Sequence, residues 1–398
     1  MKAVVLAAGE GTRMRPLTET RPKPMLPVAG RPILQHVLDA TPPYVDGFVL
    51  IVGYRDDAIR EAIGEEYRGH PVEYREQTEQ LGTGHAVGRA ADGVDERFLV
   101  LNGDVVIPED LVASLAAADG PAMTVKPVEN PSAYGVIERD GNRVTGIVEK
   151  PADPPTNLAN LGLYALPPSV FEIIDGLELS PRGEYELTDA LLELVERGAR
   201  VTAVEHAGPW LDVGRPWELL DANELLLADL DRRLDGEIEE GATIKGDVVV
   251  EEGARVRAGA YVEGPALIQS GADVGPNAYV RGATVLGPDV EVGNAVEVKN
   301  SILMSGASAN HLSYVGDSIL GRDVNFGAGT TVANLRHDDG NVRMRVKGEW
   351  VDTGRRKLGV VAADGVKTGI NTSLNVGIKL GAGATTKPGE RVLRDRTG

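Results

Sequence analysis

Two hydrophobic periods run along this chain, and the change between them falls near residue 230. Before it, short apolar runs alternate with helix-period stretches. Residues 3–8, 48–52 and 98–101 read as buried strands, and residues 32–40, 56–67, 84–91 and 108–118 as helices. Residues 134–150 read as a hairpin turning at Asp140-Gly141-Asn142, and residues 216–231 as a closing helix and linker. Such alternation predicts a mixed, mostly parallel sheet flanked by helices. Beyond residue 230, Ile238, Ile244, Val250, Val256, Val262, Ile268, Val274, Val280, Leu286, Val292 and Val298 recur every six residues. A strict period of six cannot be helical; it predicts a parallel β-helix in which each short strand forms one side of a triangular coil. The register shifts after Val298 and resumes at Leu320, Phe326 and Val332. A polar insertion at 335–358 then interrupts it, and it returns through Val366, Ile378 and Pro388. The expected domains are therefore 1–230 and 231–398.

At 398 residues the chain exceeds the usual growth limit of one core, in keeping with two domains. The balance of 60 Asp+Glu against 41 Lys+Arg argues against a nucleic-acid-binding surface, which would need a basic face. Anionic small ligands remain possible where positive charge is gathered locally. There is no cysteine, which excludes disulfides and thiolate metal sites. The start runs directly into a strand without the segments of a signal peptide, and no apolar run reaches membrane-spanning length. The expectation is a soluble, cytoplasmic protein with no nucleic-acid or membrane partner. Its acidity suits a salt-rich cytosol and an ordinary acidic enzyme alike.

Local charge opposes this global balance. Residues 6–28 read L-A-A-G-E-G-T-R-M-R-P-L-T-E-T-R-P-K-P-M-L-P-V, so a buried strand ends in Gly9-Glu10-Gly11-Thr12-Arg13. Glycines there let backbone N–H groups approach an anion, and Arg13, Arg15, Arg21 and Lys23 add fixed positive charge. Neither G-x-G-x-x-G nor Gly-Lys-Ser/Thr is present, which argues against a dinucleotide or Walker site. Asp104 closes the apolar run before L-N-G-D, and Asp212 follows another in W-L-D-V-G. One such Asp alone reads as a helix cap; two, with the glycine-basic loop, fit carboxylates that hold magnesium for phosphoryl chemistry.

These residues resemble the sugar-1-phosphate nucleotidylyltransferases, whose opening signature is G-x-G-T-R-x-x-P followed by Lys-Pro. The resemblance continues through Gln77, Gln80-Leu81-Gly82-Thr83, Gly103-Asp104, Tyr134-Gly135, Glu149-Lys150, Asn160-Leu161-Gly162 and the stretch from Trp210 to Gly214. It implies a Rossmann-like α/β nucleotidyltransferase domain. Leu6, Ala7, Ala8, Gly9, Gln77, Gly82 and Thr83 would hold the nucleotide, with Lys23 and Arg13 on its phosphates as catalytic cations. Asn102, Gly103, Gly135, Glu149 and Asn160 would line the sugar pocket, and Asp104 and Asp212 would hold Mg2+. The implied reaction is attack of a sugar-1-phosphate oxygen on the α-phosphorus of UTP or dTTP. The long form R-P-L-T-x-x-R-P-K-P-M-L-P-V is closer to glucose-1-phosphate thymidylyl- or uridylyltransferases, which leaves the base open.

Six-residue repeats need only aliphatics, yet Glu297, Lys299, Asn300, Asn310, His311, Tyr314, Asp317, Asn325 and Asn334 interrupt them. A histidine is the natural base for an ammonium attacking an acyl carbonyl, although a lone one is commonly structural. From Arg281 to Asn334 the string resembles the acetyltransferase half of the bifunctional N-acetylglucosamine-1-phosphate uridylyltransferases/glucosamine-1-phosphate N-acetyltransferases, archaeal branch included. That implies a left-handed parallel β-helix of hexapeptide repeats with His311 as general base. Arg281, Glu297, Lys299, Tyr314, Asn325 and Asn334 would bind the acceptor, and Ala328 would contact acetyl-CoA. It also implies a homotrimer. Where bacterial members carry Asn-Tyr-Asp-Gly and a lysine, this chain has Asn334-Leu335-Arg336-His337. The basic run Gly354-Arg355-Arg356-Lys357 is a candidate for the coenzyme A phosphates, and a solvated loop is the alternative. The leading reading is two-step synthesis of UDP-N-acetylglucosamine. The alternatives are a glucose-1-phosphate thymidylyl/uridylyltransferase with a non-catalytic trimerising β-helix, and a catalytically silent regulatory or assembly subunit.

Overall fold

The computed structural model describes residues 1–397, and the chain forms two compact units. One comprises Met1–Glu10, Pro22–Met25 and Ile33–Asp212; the other comprises Gly11–Arg21, Leu26–Pro32 and Val213–Gly398. Among the described residues no helix is long and apolar enough to cross a membrane.

The first unit is built on a ten-stranded sheet. At its centre Phe98–Asn102, Lys2–Leu6, Gly47–Val52 and His70–Glu76 run parallel in that order. Val4, Val5, Val49, Leu50, Ile51, Val100 and Leu101 are wholly buried, because helices cover both faces; this is why these strands read as continuous apolar runs. The expected mixed sheet is parallel through this centre and again where Thr202–Glu205 pairs with Ala122–Pro127, and antiparallel elsewhere. On one flank Leu158–Leu166 runs antiparallel to both Phe98–Asn102 and Ala122–Pro127, and the hairpin Gly135–Asp140/Arg143–Glu149 extends the sheet antiparallel. Helices Ile33–Asp39, Asp57–Ile63, Thr83–Gly88 and Glu109–Ala117 fall in the expected stretches. The second is shorter than the residues 56–67 expected. Gly64, at φ 75, stops it, and Glu66–Tyr67 turns back to pair antiparallel with Pro71 and His70.

In the second unit the chain visits three parallel sheets of eight, seven and eight strands in rotation, which is a parallel β-helix. Val250 pairs with Ile268 and Ile268 with Leu286, so a regular coil takes eighteen residues. Val250, Val256, Val262, Ile268, Val274, Val280, Leu286, Val292 and Val298 are all fully buried in one apolar column system. The register shift has a simple cause: Leu286 pairs with Leu303 and Leu303 with Leu320, so two coils are one residue shorter at one corner. Ser301 and Ser318 sit at the shortened corners. Ser301 Oγ donates to the Lys299 carbonyl at 2.7 Å and accepts from Ser318 N at 3.0 Å; Ser318 Oγ donates to the Gly316 carbonyl at 2.8 Å. Hydroxyls thus satisfy the backbone where a residue is missing.

After the insertion the column continues through Ala362, Thr368 and Leu374, which pair with Leu320, Phe326 and Val332. Val366 and Ile378 are buried but belong to the adjoining column, and Pro388 is exposed, so the expected return through those three residues is corrected. The insertion is a closed antiparallel hairpin, Arg343–Val346 with Glu349–Asp352, pinned by buried Val342 and Met344. Helix Glu218–Leu227 packs in this unit, with Leu227 among Val249, Leu267 and Val285.

Candidate functional site

In the first unit the nucleotide and sugar candidates meet at the carboxyl ends of the parallel strands, where α/β sheets place ligands. Gly103 N donates to the Leu6 carbonyl at 2.9 Å, and Ala7 N to the Ile51 carbonyl at 2.8 Å. Gln80 Nε2 donates to the Ala8 carbonyl at 3.0 Å, while Gly9 borders open space. Gln77, buried, donates through Nε2 to the Gly82 carbonyl at 3.1 Å. Gly82 has φ +106, and a side chain there would stand 2.6 Å from the Tyr185 carbonyl, so only glycine fits. Thr83 Oγ1 accepts from Leu187 N at 3.1 Å, fixing the turn into the short helix Thr83–Gly88. Leu6, Ala7, Ala8, Gly9, Gln77, Gly82 and Thr83 therefore form one open shelf.

Asp104 and Asp212 are brought together by a two-residue ladder in which Asp212 pairs with Val105. Lys23, only 6% exposed, reaches both carboxylates: its Nζ lies 2.5 Å from Asp104 Oδ2 and 3.9 Å from Asp212 Oδ1. Two partly exposed carboxylates fit a magnesium ion that arrives with phosphate oxygens and water as its remaining ligands. Among the described residues no group of three or more His, Asp or Glu could hold a metal alone.

The sugar candidates also converge. A side chain on Gly135 would stand 2.9 Å from Glu149 Oε2 and 3.6 Å from Asn160 Cβ. Asn160 donates to the Tyr164 hydroxyl at 2.7 Å and accepts from Gly162 N at 3.0 Å, and Gly162 abuts the Asn102 amide. Glu149 is approached by Arg182 Nη1 at 3.3 Å, Lys150 Nζ at 3.4 Å and Thr188 Oγ1 at 3.4 Å. Burial raises the carboxyl pKa of Glu186, and burial with the nearby Glu149 charge raises that of Asp189. Arg182, Thr188, Asp189 and Tyr164 were not singled out by sequence reading. Tyr164 lies in strand Leu158–Leu166, Thr188 and Asp189 in helix Leu187–Glu196, and Arg182 in the turn before that helix.

Arg13 lies in the second unit, exposed, with its guanidinium 3.2 Å from where a side chain on Gly214 would begin. Gly214 N donates to Glu218 Oε2 at 2.7 Å at the start of helix Glu218–Leu227. Arg21, expected among the phosphate-facing charges, is corrected: it is 4% exposed and its guanidinium pairs with Asp364.

The acetyl-transfer candidates divide between two neighbouring sheets of the β-helix. On one, Arg281 pairs in register with Lys299, and Glu297 with Tyr314. Arg281 Nε donates to Glu297 Oε1 at 2.9 Å. Asn334 Nδ2 donates to the Tyr314 hydroxyl at 3.0 Å and to Asp317 Oδ2 at 2.5 Å. Lys299 Nζ reaches the two Asp317 oxygens at 3.1 and 2.9 Å, and Asn300 Nδ2 donates to Oδ1 at 3.0 Å. Asp317, 2% exposed, is thus the hub of this group and was not among the predicted site residues. Its signal was the register shift itself. On the other sheet His311 ends strand Ser308–His311, exposed, opposite Asn294. It lines a depression of about 350 Å³ with Asn294, Asn310 and Glu291. Asn325 follows Ser308 in the same sheet, and Gly329, beside Ala328, donates its N–H to the His311 carbonyl at 3.1 Å.

Of the insertion's basic run, Arg355 is taken up by Asp221 and Glu224, whereas Arg356 meets Asp339 at 2.6 Å on the surface and Lys357 is exposed. The insertion's hairpin also brings Arg343, Arg345 and Trp350 to a cavity of about 790 Å³ shared with Arg336 and Arg394.

A glycine shelf at parallel strand ends, beside one lysine and two carboxylates, defines a nucleotidyl transferase. Residues 2–229 match the family described as nucleotidyl transferase, and residues 262–378 match the GMPPB C-terminal domain. The bifunctional protein GlmU of Methanocaldococcus jannaschii is 47% identical over 96% of this chain and 92% of its own. The bifunctional sugar-1-phosphate nucleotidylyltransferase/acetyltransferase of Sulfurisphaera tokodaii is 39% identical over 99% and 98%. A solved Bacillus anthracis chain, described as a glucose-1-phosphate thymidylyltransferase, superposes with TM-score 0.54 at 29% identity, covering 58% of this chain and 97% of that one. The chain belongs to the nucleotidyl transferase family and, by likeness along nearly its whole length, to the archaeal bifunctional GlmU proteins within it.

Proposed function

We propose that the protein makes UDP-N-acetylglucosamine in two steps, with residues 231–398 acetylating glucosamine-1-phosphate and residues 1–230 transferring UMP to the product. The observation that carries the first activity is Lys23 set between Asp104 and Asp212 beside the glycine shelf. A phosphate oxygen of N-acetylglucosamine-1-phosphate attacks the α-phosphorus of UTP, the α–β P–O bond breaks, and pyrophosphate leaves. Lys23 and Arg13 neutralise charge that builds on the phosphates; Gln77, Gly82 and Thr83 shape the nucleotide side, and Glu149, Asn160 and Gly135 the sugar side. Magnesium, held by Asp104 and Asp212, supplies further charge neutralisation when bound.

In acetylation the glucosamine amine attacks the thioester carbonyl of acetyl-CoA. His311 takes the amine proton and coenzyme A leaves as its thiol. Arg281, Lys299, Tyr314 and Asn325 hold the sugar phosphate, Glu297 and Asn334 orient the site, and Ala328 meets the acetyl donor. The arginines lining the insertion's cavity, with Arg356 and Lys357 of the basic run, receive the coenzyme A phosphates, and Arg355 is held by the protein instead. The solenoid is read as left-handed and the protein as a cytoplasmic homotrimer with acetylation sites between copies.

The test incubates the protein with glucosamine-1-phosphate, acetyl-CoA, magnesium and each nucleoside triphosphate, with nucleotide sugars identified by mass. UDP-N-acetylglucosamine is the expected product, and His311→Ala is expected to abolish coenzyme A release while pyrophosphate release from N-acetylglucosamine-1-phosphate persists. Conversion of glucose-1-phosphate alone, without coenzyme A release, would establish the thymidylyl/uridylyltransferase alternative; no turnover with any pair would establish the silent subunit.

A further inference from the structure

Helix Glu218–Leu227 is clamped to the solenoid along one face. Asn223, fully buried, donates through Nδ2 to the Ala283 carbonyl at 2.8 Å and accepts from Ala29 N at 3.0 Å, and Leu227 packs among Val249, Leu267 and Val285. Asp221 and Glu224, one helical turn apart, share a second stripe. Glu224 Oε1 accepts from Asn300 Nδ2 at 2.8 Å and from Arg355 Nη2 at 2.5 Å, and Asp221 pairs with Arg355. The Asn300 amide nitrogen carries two hydrogens, and the second serves Asp317 Oδ1 at 3.0 Å. Asn300 stands at a corner with φ 46, so its amide bridges a carboxylate on the helix to the buried hub that also takes Lys299 and Asn334. Glu224 therefore sets the direction in which the Asn300 amide points.

We propose that Glu224 is a positioning residue for acetyl transfer: by fixing the Asn300 amide against Asp317 it keeps Lys299 and Asn334 in place for glucosamine-1-phosphate. Without Glu224 the amide loses one of its two acceptors and is free to turn toward water. Asp317, 2% exposed, then loses a donor that solvent cannot replace. Helix Glu218–Leu227, which reads in the sequence as a closing helix and linker, thus contributes to the acceptor site. This rests on the acetyl-transfer reading given above.

The experiment measures coenzyme A release, pyrophosphate release and deuterium uptake of peptides covering residues 297–302 in the full-length protein. It compares wild type with Glu224→Ala, Glu224→Gln, Asp221→Asn, Asn300→Gly and the double variant Glu224→Ala/Asn300→Gly; glycine is the residue of the regular corners, Gly246 and Gly282. Glu224→Ala is expected to raise KM for glucosamine-1-phosphate about tenfold, the scale of one hydrogen bond to a charged group, with kcat within about threefold and pyrophosphate release within about twofold. Asn300→Gly gives a like rise, and the double variant no more than the larger single one, as two residues on one path require. Glu224→Gln, which keeps an acceptor oxygen, recovers most of the loss. Asp221→Asn, which disturbs Arg355 and leaves the Asn300 contact, keeps that KM within about twofold. An unchanged KM in Glu224→Ala overturns the proposal, as do multiplied losses in the double variant, an equal rise in Asp221→Asn, or an equal fall in both activities. A wild type that releases no coenzyme A defeats the acetyl-transfer reading and the positioning role together, while the exchange of residues 297–302 in Glu224→Ala still decides whether Glu224 orders the corner.

Discussion

Replacing Asp317 by Asn separates a positioned acceptor site from a stable scaffold. Asp317 is 2% exposed and accepts four hydrogen bonds: two from Lys299, one from Asn300 and one from Asn334. The amide keeps the shape but removes the charge and turns one acceptor into a donor facing other donors. Removing one partner of a buried pair costs about 3–5 kcal/mol. Lys299 retains 16% exposure and can swing partly to water, so about 3 kcal/mol is the better figure. If that cost falls on the bound state, kcat/KM for glucosamine-1-phosphate drops about a hundredfold, because Lys299 and Asn334 no longer hold their places. Coenzyme A release with a thiol reagent reads the loss; pyrophosphate release in the same preparation, expected to stay within about twofold, controls for folding. An Asp317→Asn protein with unaltered KM and kcat for glucosamine-1-phosphate would refute the reasoning, and so would equal loss of both activities.

Two further outcomes bear on the remaining assignments. Asp104→Ala should reduce pyrophosphate release at least about a hundredfold with the circular-dichroism spectrum unchanged, since the side chain is partly exposed and its ladder neighbour Val105 is kept; EDTA should mimic it and added magnesium reverse only the EDTA effect. Neutralising Arg343 and Arg345 together should raise the KM for acetyl-CoA about tenfold without altering that for glucosamine-1-phosphate, by loss of charge-assisted contacts; an unchanged acetyl-CoA KM would remove the insertion's cavity from donor binding.

What the sequence made legible is what local pattern controls. The runs around Val4, Leu50 and Val100 announced a doubly covered sheet because strands buried on both faces cannot alternate. The glycine loop after Ala8 and the Asp after Gly103 marked strand ends, where the shelf and the Lys23 pair are found. Eleven residues at a period of six fixed the solenoid, since each must fill the same interior position. Long-range pairing was not legible. Arg21 and Arg355 read as free positive charge, yet their partners Asp364, Asp221 and Glu224 lie more than a hundred residues away. A charge run shows its sign along the chain but not whether folding has already neutralised it. The column after the insertion was misplaced for a related reason: Val366 and Ile378 are as apolar as the true column, and only strand pairing tells the two apart.

The two shortened coils explain how a polar cluster is built into a fold that needs only aliphatics. In regular coils the corner after Lys245 and after Arg281 is Gly246 or Gly282, at φ 73 and 68, and carries no side chain. Arg281 pairs with Lys299 and Lys299 with Gly316, so the equivalent corner positions in the short coils are Asn300 and Asp317. Both keep positive φ, at 46 and 50, a region that Asn and Asp tolerate better than other side chains. One deletion per coil thus leaves the turn in its glycine-like conformation while placing an amide and a carboxylate where regular coils have hydrogen. Ser301 and Ser318 then satisfy the backbone groups that the missing residues would have served. The irregularity is therefore the device that sets Asp317 under Lys299 and beside Asn334, and the sequence carries it as nothing more than a period of six that once, and then again, counts five.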